Sequence, residues 1–286
     1  MLAIKHILFP IDFSERCCSA VPFVDAMARR FGAKITLMSV AAPYWYAGDP
    51  GVPMVVDMDE VQEQLESRLA KTLVQDFHDL QVQRFVDIGE PGEVITRFAH
   101  TEGVDLIMMP THGYGPFRSF LLGSVTAKVL HDAGCPVWTG AHIEEAPQKE
   151  HIACRNLLCA VDGTPKSVPL MEWAAEFAKV SGATLRLVHV IGGVQGWPER
   201  QLNREFEETM RKDAKAVIER LQRGSGVEAP VCVAVGDVAA AVREEARRHG
   251  TDLLVIGRGL LHETFGRLRA HSYALIRQAP CPVISI

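Results

Sequence analysis

The sequence contains no apolar run approaching the ~20 residues that a membrane-spanning helix requires, and no tract of clustered lysine and arginine. With a formal net charge of −5, these absences leave neither a membrane protein nor a nucleic-acid binder among the expected classes. The opening stretch MLAIKHILFPIDF has no small-residue cleavage site and reaches an acid at Asp12, unlike a signal peptide. Cysteines are odd in number, at seven, and scattered from Cys17 to Cys281, so no disulfide framework is implied and a reducing cytoplasm is the expected location. Neither Cys-x-x-Cys nor His-Glu-x-x-His spacing occurs, and no metal ligand is assigned. Cys135 and Cys281, each preceding a proline, read as packing residues, and of Cys17 and Cys18 at least one should face a core.

What is present is core material. A hydrophobic content of 48% suits a globular chain, and 286 residues allow one large domain or two ordinary ones. An internal repeat decides for two. KHILFPID at Lys5–Asp12 matches RNLLCAVD at Arg155–Asp162, a spacing of 150 between Asp12 and Asp162. The same spacing relates Phe31-Gly32-Ala33 to Ser181-Gly182-Ala183, while GVDLIMMP (Gly103–Pro110) matches GTDLLVIG (Gly250–Gly257) and Cys135-Pro136-Val137 matches Cys281-Pro282-Val283. The copies are expected over 1–143 and 152–286, with the seam in the polar stretch Ala141–His151.

Each copy alternates short apolar runs with amphipathic ones. Strands are expected near His6–Pro10, Lys34–Val40, Arg84–Ile88, Leu106–Met109 and Pro136–Thr139, and helices near Ser14–Phe31, Met58–Leu80, Gly92–Glu102 and Ser124–Ala133. The second copy repeats the pattern with strands near Asn156–Val161, Thr184–Val190, Pro230–Val235, Leu253–Ile256 and Pro282–Ile286. Such alternation predicts an α/β chain of two tandem doubly wound domains, each a five-stranded parallel sheet flanked by helices. Ligands of such sheets lie beyond the carboxyl ends of the strands, where the winding reverses.

The stretch VDLIMMPTHGYGPFRSFLLGSVTAKVLH (Val104–His131) carries the chemistry. A buried strand runs into a loop holding Pro110, Gly113, Gly115 and Pro116, and a helix follows for which Ser124 is the expected N-cap. Free N–H groups and a helix dipole at such a place favour a phosphate, although a plain connection has the same outline. The loop is no Walker A sequence and lacks the third glycine of a dinucleotide fingerprint. Asp12, after the first strand, would accept from a ribose hydroxyl or base amino group; alternatively, Asp12 or Ser14 simply caps the next helix. His112 beside the loop is placed to meet a phosphate or simply solvent. Tyr44, Trp45 and Tyr46, with Trp197 in the matching place, open long segments that read as flaps or interface elements.

LFPIDFSE (Leu8–Glu15), GEPGEVI (Gly89–Ile95), MPTHGYGPFRSFLLGSVTAKVL (Met109–Leu130) and CPV (Cys135–Val137) together resemble the universal stress protein family, in its tandem two-domain form. The resemblance spans both halves and implies domains of the adenine-nucleotide α-hydrolase type. ATP-binding members carry Gly, two residues, Gly, nine residues, then Gly-Ser/Thr. Here Gly113, Tyr114–Leu122 and Gly123-Ser124 fit the second half, whereas Pro110 stands at the first glycine and removes a backbone donor. By resemblance, ATP, alone or with Mg2+, would be held by Ile11, Asp12, Val40, Met109, Pro110, Gly113, Gly123, Ser124 and Val125. Asp12 would meet the nucleoside and Val40 the adenine. The second copy keeps Asp162, Val190 and Gly257, but its Gly-Ser pair becomes Arg269-Ala270, and it is expected to be degenerate for ATP even with Arg258, Arg267 and Arg269 nearby.

The reading that follows is a cytoplasmic stress-response protein binding ATP in the first domain as a nucleotide-linked sensor or regulator, with no catalytic residue assigned. Two alternatives remain open: a slow ATP hydrolase in which Asp12 and His112 assist a water, and a dimerisation scaffold without nucleotide. The two copies are expected to pair as a pseudo-dimer within the chain, and the final strands leave homodimerisation open.

Overall fold

The structure, a computed structural model, describes residues 2–42, 57–111, 122–140, 152, 154–192, 204–258 and 267–286, without side chains at 204, 205 and 267–271. The expectations for Tyr44–Tyr46, His112, Gly113 and Trp197, and for the side chains of Arg267 and Arg269, lie outside the described residues. Two compact units divide the chain, one of Ala3–Ile152, the other of Ala153–Ile286 with Met1–Leu2. No helix among the described residues is long and apolar enough to cross a membrane.

In the first unit the described strands are β1 (His6–Pro10), β2 (Lys34–Ala41), β3 (Val82–Ile88), β4 (Leu106–Pro110) and β5 (Val137–Gly140). They run parallel in the order β3-β2-β1-β4-β5. Between them come α1 (Glu15–Phe31), α2 (Met58–Lys71), α3 (Pro91–Thr101) and α4 (Ser124–Asp132). The second unit repeats the scheme. It has β6 (Asn156–Ala160), α5 (Ser167–Ser181), β7 (Thr184–Gly192), α6 (Arg204–Ser225), β8 (Val231–Gly236), α7 (Val238–Arg248), β9 (Leu253–Ile256), α8 (Arg267–Gln278) and β10 (Val283–Ser285). Its order is β8-β7-β6-β9-β10, again parallel. Each unit is thus the doubly wound α/β sheet that the alternation predicts.

The strands are covered on both faces, as parallel sheets require: Ile7, Leu8, Phe9, Leu106, Ile107 and Met108 are fully buried. Helix α1 supplies a matching stripe at helical spacing, Cys17, Ala20, Val21, Val24, Met27 and Ala28. It ends on Gly32, whose φ of 62° is left-handed and lets its N–H reach Ala28 O; Gly182 ends α5 the same way. A carboxylate anchors the foot of each sheet. Asp105 Oδ2 accepts from the N–H groups of Lys5 and His6 at 2.7 and 2.9 Å, and Asp252 Oδ2 does so for Arg155 and Asn156 at the same distances. Of the adjacent thiols, Cys17 is buried and Cys18 exposed; Cys281 is buried and Cys135 half-buried. Burial pushes the Cys17 thiol far up, and the Cys281 thiol up to about 12.

Two local expectations are corrected. Helix α2 stops at Lys71 rather than Leu80, because Thr72 is extended and Leu73 takes a φ of 55°. Arg84, on β3, then donates to the carbonyls of Leu69 and Thr72 through Nε and Nη2 at 2.9 and 3.0 Å, the former shared with the Thr72 N–H. Arg29 holds the segment that follows against α1, bridging Asp25 and Asp79. The second correction concerns α4: Gly123 occupies the N-cap, and Ser124 is the first helical residue without a side-chain cap bond.

Helices α3 and α4 pack through Gly92. A Cβ there would lie 2.5 Å from Lys128 Cγ and 2.8 Å from Lys128 Cβ. Gly92→Ala is expected to cost about 1–3 kcal/mol by forcing these helices apart, measurable by urea unfolding.

Buried His6 places Nε2 2.8 Å from Thr36 Oγ1 and Nδ1 3.3 Å from Glu102 O. Burial, with the charge of Lys34, lowers its pKa below the usual histidine value. The unfolded chain therefore binds this proton more readily, so stability is full above about pH 6.5 and falls as pH drops below it. His6→Asn copies Asn156, whose Nδ2 donates to Gly250 O at 3.1 Å in the second unit. The variant should lose less thermal stability than the wild type between pH 7.5 and 5, as compared by melting curves.

Candidate functional site

In the first unit β1 and β4 are neighbours, and their crossovers leave in opposite directions along the sheet. Their carboxyl ends therefore part, and a cavity of about 590 Å³ opens there. Eight of the nine residues expected at a site line it: Ile11, Asp12, Val40, Met109, Pro110, Gly123, Ser124 and Val125. Gly113 is outside the described residues.

Ile11 is buried and prolongs the ladder of β1, its N–H donating to Met38 O at 2.7 Å. The chain then turns at Asp12, whose Oδ1 accepts the Ser14 N–H at 2.9 Å. Ser14 caps α1, its Oγ accepting the Cys17 N–H at 3.2 Å. The two roles left open in the sequence thus fall to two residues: Ser14 caps, and Asp12 shapes the turn with one oxygen. Oδ2 of Asp12 has no partner among the described residues. Turning this tightly puts Phe13 at a φ of 62°, a left-handed geometry that costs a bulky residue about 1–2 kcal/mol.

Opposite, Gly123 N–H donates to Thr111 O at 2.9 Å, and Thr126 Oγ1 donates to Pro110 O at 3.1 Å. These bonds fix the start of α4 against the end of β4. The first turn of a helix lacks intrahelical acceptors, so the N–H groups of Ser124, Val125 and Thr126 point out of the helix at its positive end. One end of the cleft presents a carboxylate oxygen and apolar walls; the other presents N–H donors. Pro110 supplies no N–H, but its carbonyl is used.

Sequence reading missed several lining residues: Met38, Ser39, Phe13, Leu65, Arg68, Pro91, Ile95 and Thr126. Pro91 and Ile95 carry a signal, since both belong to the quoted GEPGEVI stretch. Leu65 and Arg68 carry none, because α2 reaches the cleft only through tertiary packing. Among the described residues no group of three His, Cys, Asp or Glu is arranged for a metal ion.

The equivalent turn in the second unit is built otherwise. Asp162 Oδ1 accepts from Thr164 N at 2.9 Å, Thr164 Oγ1 at 2.8 Å and Ser167 Oγ at 2.5 Å. Burial opposes ionisation, but these bonds and the His189 imidazole outweigh it and hold the Asp162 carboxyl below the usual range. Gly163 takes the left-handed position, at a φ of 78°, without strain. His189, whose Nδ1–H donates to Val161 O (2.9 Å), stands so close that a Cβ on Gly163 would meet its Cε1 at 3.3 Å.

A universal stress protein family model matches residues 3–139 and again 154–286. The chain belongs to the universal stress protein family. It carries the domain twice. Universal stress protein MJ0577 of Methanocaldococcus jannaschii is 28% identical over 151 residues, which cover 46% of this chain and 92% of that protein. A universal stress protein of Thermus aquaticus is 31% identical over 136 residues, covering 46% of this chain and 96% of its own. A universal stress protein structure from Archaeoglobus fulgidus covers 99% of this chain and 96% of its own, with a TM-score of 0.71 at 21% identity, and shows the same fold.

The two aspartates of this tandem universal stress protein should separate in a mutational comparison. Asp162→Ala removes an acceptor of three hydrogen bonds and is expected to cost about 2–3 kcal/mol, whereas Asp12→Ala removes one and should cost about 1 kcal/mol. Denaturant unfolding of the two variants measures the difference.

Proposed function

We propose that the first unit binds ATP, alone or as its Mg2+ complex, in the cleft above β1 and β4. On this reading the chain is a cytoplasmic stress-response protein for which nucleotide occupancy is the signal. One observation carries it: a carboxylate oxygen without a partner and the N–H groups of a helix start line a single cavity, the acceptor at one end and the donors at the other. A nucleotide is a ligand with that polarity, hydroxyl and amino donors on the nucleoside and oxygens on the phosphates. A volume of about 590 Å³ lies within the range of small-molecule sites.

Each residue then has a role. Asp12 accepts from the nucleoside through Oδ2; Ile11, Val40 and Met109 give the base an apolar slot; Gly123 lets phosphate oxygens approach, and the N–H groups of Ser124 and Val125 receive them. The chain need not cage Mg2+, since phosphate oxygens and water supply most ligands of this ion. The second unit is not assigned ATP. Three donors from Thr164 and Ser167 converge on Oδ1 of its aspartate, and His189 crowds the turn.

Calorimetric titration of the purified chain with Mg-ATP tests the reading. Saturation at one equivalent is expected, with binding abolished by Gly123→Val, weakened about tenfold or more by Asp12→Ala, and unaffected by Arg269→Val. A flat wild-type titration would leave the non-nucleotide scaffold, and metal-dependent release of ADP would make the protein a slow hydrolase instead.

A further inference from the structure

Arg68 lies in the wall of the cleft with its guanidinium carbon 3.9 Å from the centroid of the Phe13 ring. Among the described residues it has no ion pair and no side-chain hydrogen bond, although its neighbours on the same helix, Gln62, Gln64 and Glu66, all engage in such pairs. The ring that supports it belongs to the residue with the left-handed backbone, so the stack is held at the expense of local strain. An aromatic face under a guanidinium fixes the plane of the arginine, leaving its second face as a flat, cationic surface.

The second unit provides a built-in comparison. The repeat spacing of 150 takes Phe13 to Gly163 and Arg68 to Ile218. Those two residues also meet: a Cβ on Gly163 would lie 3.5 Å from Ile218 Cδ1, and Ile218 is fully buried. Where the first unit keeps an aromatic–arginine stack on an open cleft, the second keeps a strain-free glycine under an aliphatic side chain and an imidazole. The stack belongs to the unit whose aspartate accepts one hydrogen bond at Oδ1, where its counterpart accepts three.

We propose that Arg68 is a specificity-determining residue, whose outer face is the plane on which a purine base stacks. The inference rests on the nucleotide reading of the same cleft. Position favours the base over the phosphates as its partner. Helix α2 packs on β2 and β3, and its Leu65, one turn before Arg68, lines the cavity together with Val40 and Ile95. The N–H donors for phosphate belong to α4, which follows β4 on the far side of β1. A base seated in the apolar end would thus be sandwiched by a planar cation on one side, an arrangement that rewards the larger π-surface of a purine over a pyrimidine.

The test is a set of titrations of the full chain with ATP, adenosine and CTP, for the wild type, Arg68→Met and Arg68→Lys, with melting curves to establish that the variants are folded. The expected result is a loss of about tenfold for ATP and adenosine alike in Arg68→Met, a smaller loss for CTP, and therefore a lower ATP-to-CTP preference. Arg68→Lys keeps the charge but not the plane and should not restore it. A loss confined to ATP and reversed by lysine would make Arg68 a phosphate contact and overturn the proposal. An unchanged ATP-to-CTP preference would overturn it too, while leaving the nucleotide site standing. A wild type that binds none of the three would instead overturn the nucleotide reading, and this inference with it.

Discussion

Two parallel strands whose crossovers depart in opposite directions cannot be covered at the point where they part. Between β1 and β4 the sheet order 3-2-1-4-5 imposes that gap, and the candidate site residues described in the first unit stand on its rim. The rim is stiff because its backbone groups are spoken for. Ile11 continues the ladder to Met38, Gly123 bonds to Thr111, and Thr126 reaches back to Pro110. The foot of the same two strands is clamped by Asp105, so that register at the far end is transmitted to the cleft. Groups not needed for folding, among them one oxygen of Asp12 and the first N–H groups of α4, remain to face a ligand.

The chain works as its own control. Both units solve the same backbone problem with different side chains. At the foot, His6 and Asn156 occupy one position, and Asp105 and Asp252 make the same pair of bonds. After the first strand, Phe13 and Gly163 share a left-handed φ, but only the glycine does so freely. On the outer strand, the tilted pair Phe85 and Phe98 (4.9 Å between centroids) corresponds through the 147-residue offset of the later half to Cys232 and Glu245, joined by an Sγ–H donor bond at 3.1 Å. The fold tolerates these exchanges because backbone bonds and apolar volume specify it, and the polar detail is left to vary with the task.

This division explains what could be read in advance. Repeat spacing and the alternation of apolar runs carry the sheet, and the tandem family motifs carry Asp12, Val40 and Ser124. Whether Asp12 or Ser14 caps α1 was not legible, since either type serves; the turn geometry assigns the cap to Ser14 and leaves Asp12 half free. The cap of α4 was misplaced by one residue because serine is a good cap by type, whereas Gly123 holds the position through its extended backbone. The end of α2 was misplaced by nine residues: its amphipathic pattern runs on to Leu80, but the chain breaks at Thr72 and Leu73, where the distant Arg84 meets the last carbonyls. Arg68 could not be found at all, because nothing local marks a surface arginine whose partner is an aromatic 55 positions earlier.

The cysteines have a practical bearing that follows from their placement on α1. Cys17 and Cys18 are consecutive, yet one is sealed in the core and the other faces solvent four residues after Ser14. Burial disfavours the thiolate at Cys17, Cys159 and Cys281, and at Cys232 burial and the Glu245 carboxylate do the same. Burial and the carboxylates of Asp12, Asp76 and Glu15 raise the Cys18 thiol too, so what sets Cys18 apart is its exposure, which opens it to thiol reagents. A fluorophore attached there would sit about one helical turn from the cleft rim, giving the native sequence a reporter position without an engineered residue.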